Sequence, residues 1–437
     1  MGSWGQIGTP WRGNSAQKNK IKNGSVEKYE RKDRKEKAQS GCKTFIGFAL
    51  GIVIGLIFKE KASIIKPIGT IFLNMIKMIV VPMVFFSITA GVANLGDLRK
   101  LRSIGVKTVG IFALTSAICV GIGLIMAYII QPGKGFDMSV LSSETVYEAK
   151  EMPSVIDTIV DAFPTNIFGS FVNTSLLQII VFSIFLGTAL ILLGEKGNRI
   201  ASTISDLADV MYKITDIVMK FSPIGVCALL ADSIGAYGLD IFGPLGKLIL
   251  TIYASDVVIV FVLYVPMLAL FARFPLKVFF EHIWKLWVVT ASTTSSNGSL
   301  PVSTSITNDE YGVSSELSSF SLPLGATINM NGGCVFYAAT IVLVAQVYGV
   351  ELSAGALLTI IVSTVLVAMG CPGVPGGAII MTTILLTNMG LPLELVGPIA
   401  GIFRLIDMAD TTFNCTGDVV TTLVVARSEN MFTKEVK

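Results

Sequence analysis

Between Arg404 and Asp418 the chain sets Arg404, Asp407, Asp410 and Asp418 into a segment otherwise apolar enough for a lipid bilayer. At about 100° per residue, Asp407, Thr411, Asn414 and Asp418 fall within about 40° of one direction on a helix, with Arg404 and Asp410 about 60° to either side. A charge at the bilayer centre costs about 2.5–3.5 kcal/mol even on a lenient insertion scale, so this face must look onto other protein, water or a ligand. A fold that buries a polar seam inside a membrane-embedded body satisfies that demand. A seam in which Arg404 and its two nearest aspartates merely neutralise one another leaves Asn414 and Asp418 without a purpose.

The rest of the chain supports a membrane setting. Of 437 residues, 52% are hydrophobic and 14% charged, too little charge to cover a globular surface. Apolar runs near 43–58, 64–95, 104–131, 166–195, 203–232 and 247–274 predict six helices. Residues 132–164, with Asp137, Glu144, Glu148, Glu151 and Asp157, predict an extramembrane excursion. Ahead of the first run, residues 1–42 predict a disordered tail, whose opening Met1–Gly8 stretch is compatible with an added leader. Ten Lys and Arg residues between Lys18 and Lys43 are expected to keep that tail in the cytoplasm, and the expected location is the cell (inner/plasma) membrane, crossed many times. The six cysteines, Cys42, Cys119, Cys227, Cys334, Cys371 and Cys415, lack zinc or disulfide spacing.

From 282 onward the apolar stretches are broken at membrane depth. Ala291–Pro301 and Met369–Gly377 are rich in Ser, Thr, Gly and Pro, and each sits between two apolar arms. Irregular backbone survives in a membrane only where protein or a wet cavity covers it, so both predict re-entrant hairpins. A third break, Gly325–Gly333, interrupts the helix between them. Hairpin plus broken or polar helix, twice, is the pattern of inverted repeats around a midplane substrate site.

Four motifs in order make the resemblance to a known family specific: Ser295-Ser296-Asn297-Gly298 with Pro301, Leu322-Pro323-Leu324-Gly325 with Thr327, Asn329 and Met330, Gly373 with Pro375 and Gly376, and Asp407, Thr411, Asn414, Gly417 and Asp418 at fixed spacing. Weaker matches lie at Lys107, Thr115 and Ser116, and at Pro223. The chain thus resembles the dicarboxylate/amino acid:cation symporters, the glutamate-transporter homologues. The resemblance implies an all-α polytopic protein with eight transmembrane helices, two re-entrant hairpins and inverted repeats. It implies a homotrimer working as an elevator, with helices 1–6 over 43–281, of which helices 3 and 6 join the transport domain, and a transport core over 282–430. It also implies sodium and an amino acid as partners within the lipid bilayer, and no nucleic acid.

Carried over position by position, the resemblance implies one sodium site from Gly325, Asn329, Asn414 and Asp418. A second would come from Thr327 with backbone near Ala368, Met369 and Cys371. Asp407 would hold the substrate ammonium, and Asn414 with backbone around Ser295, Ser296 and Val374 its carboxylate. Acidic-substrate members place an arginine where this chain has Asp410, which would repel an acidic side chain. Asp410 and Gly333 resemble the serine/threonine branch instead, so a small neutral amino acid is expected, with cationic amino acids as the alternative. A third cation site is expected to be weakened, since Asn331 replaces an aspartate and Phe112 a tyrosine while Thr115 and Ser116 remain. Arg404 has no counterpart, and pairing with Asp407 or Asp410 is the expectation. An intramembrane hydrolase built on a serine near 295 is poorly supported, because the sole histidine, His282, lies 13 positions earlier. Nor does the sequence offer a charge ring or carbonyl filter for a channel. The protein is therefore expected not to be an enzyme.

Overall fold

The computed structural model describes residues 43, 46–93, 98–135, 155–371, 373 and 376–434. The N-terminal tail, the acidic residues 137–151 and Val374 lie outside them. Among the described residues there are helices and no strand; one isolated antiparallel bridge joins Val313 to Phe432.

The first helix, α1 (46–58), runs through a 3-10 turn, Lys59–Ile65, into α2, Lys66–Ala93. Together they cover 48 residues. That is about 70 Å of helix, more than twice the hydrocarbon thickness. Beyond it come α3 (Leu98–Ile130), α4 (Val155–Asp161), α5 (Ile167–Val172), α6 (Leu176–Leu192), α7 (Glu195–Met219) and α8 (Ser222–Tyr237). Two predicted runs are subdivided. The run near 166–195 splits into α5 and α6, with Thr174 left-handed at φ 56° between them. The run near 203–232 starts earlier, at Glu195, and bends by 55° between α7 and α8, where Pro223 enters the first turn of α8. The excursion after Pro132 contains α4, which its polar flanks had hidden.

The next helix, α9 (Phe242–Ile259), continues through two π-helical turns, Val260–Tyr264 and Met267–Ala272. The first hairpin consists of α10 (Leu276–Thr293) and α11 (Ser296–Ser305), and leads into α12 (Ser315–Ile328) and α13 (Asn331–Val347). The second consists of α14 (Ala354–Ala368) and α15 (Gly377–Asn388), followed by α16 (Val396–Ser428). Every expected break is present, and the first is tighter than its composition suggested: only Thr294 and Ser295 leave the helix, and Pro301 lies inside α11. By length and apolarity, four described helical stretches are candidate membrane spans, Ile46–Ala93, Ile104–Ile130, Phe242–Ala272 and Ser315–Val347, or five if the bent pair counts as one. The 33-residue α16 is long enough, and its polar face keeps it out of that set.

At the centre of the body, α13 is buried along nearly its whole length, packed on α3, α9 and α16. Large apolar side chains such as Leu114, Ile125, Phe185, Phe261 and Trp284 are exposed on the outside, as a bilayer-facing surface requires.

Candidate functional site

The two hairpin tips meet. Ser295 caps α11, its Oγ accepting from Gly298 N at 3.1 Å. The same hydroxyl donates to the Gly373 carbonyl at 3.1 Å, and Asn297 N donates to that carbonyl at 3.3 Å. Three helix N-termini, those of α11, α13 and α15, therefore converge on the polar face of α16. Between them lies a cavity of about 20 Å³ bordered by Ser296, Gly333, Tyr337, Asp407, Asp410 and Asn414, among others. That is room for about one water, and too little for a larger solute.

Asp407 faces this cavity. Its carboxylate accepts from Gly376 N at 3.3 Å and from the Thr411 hydroxyl at 3.4 Å. Thr294, in the left-handed conformation at φ 47°, borders the same cavity and donates its hydroxyl to the Thr293 carbonyl at 2.8 Å. Arg404 departs from expectation: it makes no direct ion pair with either aspartate, and donates instead to the Thr294 hydroxyl and, at 2.9 Å, to the Ser292 carbonyl. An extended guanidinium one turn before Asp407 reaches the tip of hairpin 1, whose irregular backbone offers an acceptor that helices withhold. Asp410 lines the same cavity, and neither of its oxygens has a hydrogen-bond partner.

Asn414 takes a role that the sequence did not suggest. Its Oδ1 accepts from Gly332 N at 2.8 Å, capping α13, while its Nδ2 lies 3.3 Å from the Met330 sulfur. The close approach depends on Gly332, where a Cβ would sit 2.5 Å from the Asp410 Cα.

The residues expected to hold cations fall into three groups. Asp418 accepts from Asn329 Nδ2 at 2.8 Å and lies against Gly325, where a Cβ would collide with the carboxylate. Asn329 Oδ1 is buried and has no partner, so a carboxylate, an orphan amide oxygen and close backbone meet in one place, a donor set of hard oxygens that fits an alkali cation. Thr327 is half-buried and donates to the Pro323 carbonyl at 3.1 Å, while Ala368, Met369 and Cys371 form the tight turn at the end of α14, and Met369 packs beside Leu324 and Ile328 of α12. The third group has become a neutral network. Ser116 Oγ donates to Asn331 Oδ1 at 3.2 Å, and Asn331 Nδ2 donates to Tyr264 at 3.0 Å. The Tyr264 hydroxyl in turn donates to the Phe413 carbonyl at 3.0 Å. Thr115 donates back to the Phe112 carbonyl at 3.0 Å, and Phe112 is wholly buried. Both ends of the Asn331 amide are thus satisfied by protein.

Two residues escaped the sequence reading. Tyr264 looked like one aromatic among many in an apolar run. Asp256 is a lone carboxylate inside the run 247–274, and its signal in the sequence is that an ionisable residue in a span marks function by default. His282 lies at the outer base of hairpin 1, 3.7 Å from Glu310, about 20 Å of helix from Ser295, so the two form no dyad.

The comparisons agree with this architecture. Residues 41–428 match the model of the Sodium:dicarboxylate symporter family. A proton/sodium-glutamate symport protein of Geobacillus stearothermophilus is 33% identical over 90% of this chain and 94% of its own length. A proton/glutamate-aspartate symporter of Bacillus subtilis (strain 168) is 33% identical over 89% and 94%, and a C4-dicarboxylate transport protein of the same organism is 31% identical over 88% and 92%. With a polar seam inside a helical body of apolar exterior, the chain is a multi-pass plasma-membrane transporter rather than an enzyme, and it belongs to the Sodium:dicarboxylate symporter family.

Proposed function

We propose that the protein is a sodium-coupled symporter of small neutral amino acids, with serine- or threonine-like hydroxylated side chains favoured. The observation that carries this reading is Asp410: a buried carboxylate with two unpartnered oxygens borders the cavity beside Asp407. An acidic side chain placed there meets like charge in a low-dielectric site, whereas a hydroxyl donates to a waiting acceptor. Relatives are named for glutamate, aspartate or C4-dicarboxylates, and this reading departs from those names on the strength of Asp410. Both oxygens being free also suits an ammonium, which keeps cationic amino acids as the second reading.

In this scheme Asp407 takes the substrate ammonium, and the N-termini of α11 and α15 take its carboxylate through backbone N–H groups around Ser295, Ser296 and the tip that includes Val374. Sodium is held by Asp418, Asn329 and Gly325, with Asn414 joining if it releases Gly332, and a second ion by Thr327 with the carbonyls near Ala368, Met369 and Cys371. The neutral network around Asn331, Tyr264, Thr115 and Ser116 holds a third ion poorly, because amides replace a charged ligand. Eight spans, a cytoplasmic N-terminus and a homotrimer with an elevator-like transport domain over the two hairpins, α12, α13 and α16 complete the proposal.

Uptake into proteoliposomes tests it. An inward sodium gradient is expected to drive labelled serine or threonine, with competition by small neutral amino acids and none by glutamate or aspartate. Sodium-driven accumulation of aspartate at neutral pH would refute the substrate class.

A further inference from the structure

The proposed cycle leaves one carboxylate unused. Asp256 of α9 is fully buried and neither of its oxygens has a hydrogen-bond partner, which is equally true of Asp410 on α16. The two helices pack together, with Tyr253 donating to the Leu405 carbonyl at 2.8 Å and Tyr264 to the Phe413 carbonyl at 3.0 Å, so Asp256 lies on the stretch of the α9 span that runs beside the Asp410 turn of α16. The groups around the pair supply no counter-charge. Cys119 of α3 and Tyr253 and Tyr264 of the α9 span feel Asp256. Cys334 and Tyr337 of α13 and Cys371 of hairpin 2 feel Asp410. Arg404 acts on Asp407 and gives its hydrogen bonds to hairpin 1. Among the described residues no lysine or arginine lies within ion-pair distance of either carboxylate.

Two buried carboxylates acting on each other without partners require a positive charge, because like charges in a dry site repel and each has also lost its hydration. We infer that Asp256 and Asp410 form a subsite for one monovalent cation, an alkali ion or a proton, that travels with the substrate and is separate from the Asp418 site. A substrate hydroxyl can donate to one oxygen of Asp410 but brings no charge, so the cation complements the proposed neutral substrate. The inference rests on that symport reading.

Asp256→Asn removes the charge and keeps the volume. Reversal potentials of substrate flux in proteoliposomes, measured for wild type and variant across imposed sodium, potassium and pH gradients, are expected to show one positive charge fewer per substrate in the variant. The loss appears in the sodium or potassium series for an alkali ion, and in the pH series for a proton. Identical stoichiometry in all three series overturns the inference. So does a variant that keeps its cation count and shifts its preference from cationic to neutral amino acids, since the substrate side chain would then be the positive partner. The wild-type-minus-variant difference is read with whichever amino acid the protein carries, so an error in the proposed substrate leaves it interpretable. If Asp256→Asn does not transport, equilibrium binding of radiolabelled sodium and potassium, with proton uptake, on purified Asp256→Asn and Asp256→Ser gives the second reading. One cation fewer is expected, and an unchanged count overturns the inference.

Discussion

Asp407→Asn is the most direct perturbation of the proposed ammonium site. Gly376 N at 3.3 Å and Thr411 at 3.4 Å are long contacts, and they leave the carboxylate acceptor capacity for a substrate ammonium. Removing one partner of a buried charge pair costs about 2–5 kcal/mol, or about 30- to 5,000-fold in Kd. The asparagine can keep its oxygen on Gly376, and its amide hydrogens then face the substrate's own donors, so the loss is expected in the upper part of that range, at least about a hundredfold. Arg404 loses its nearest counter-charge but keeps its bonds to Thr294 and Ser292, and the fold should survive. Calorimetric titration of purified protein with the transported amino acid at saturating sodium, with a size-exclusion profile as control, measures the effect. A folded variant whose affinity changes by less than about threefold would refute the assignment.

Asp410→Arg should weaken neutral substrates and admit aspartate or glutamate in the competition panel; continued exclusion of both would show that another residue sets selectivity. Asn331→Asp, which returns a charged oxygen beside Ser116 and Tyr264, should strengthen sodium binding, and an unchanged sodium titration would show that this network has no memory of a cation site. Gly332→Ala forces a methyl into the Asp410 backbone and should destabilise by about 1–3 kcal/mol, read as a fall in Tm. At the base of hairpin 1 the Lys285 hydrogen bond, followed by the charges of His282, Lys285 and Lys434, holds the Glu310 carboxyl below the usual carboxylate range. A depressed folded-state value means that its stabilisation is present above the unfolded value of about 4.3 and is lost as pH falls through the folded one. The pair is solvent-screened and worth under about 1 kcal/mol, so Lys285→Met should flatten the acid limb of stability only slightly.

The sequence alone determined the membrane setting, the three backbone breaks and the polar face of α16, because each follows from local composition and helical periodicity. Asp407, Thr411, Asn414 and Asp418 share a face whatever surrounds them, and a cluster of Gly, Pro and small polar residues at membrane depth interrupts an apolar helix, even where a single proline such as Pro301 is accommodated within one. Only the tertiary structure decided which polar groups meet. Arg404 reaches Thr294, Tyr264 completes the Asn331 amide, Asn414 caps α13, and Asp256 is carried by α9 beside the stretch of α16 that bears Asp410, across a contact joining residues far apart in the chain. Periodicity fixes directions within one helix but not the rotation of that helix against its neighbour. In the α9 span the two π-helical turns shift that rotation again, so no count along the sequence could place Tyr264 beside Asn331.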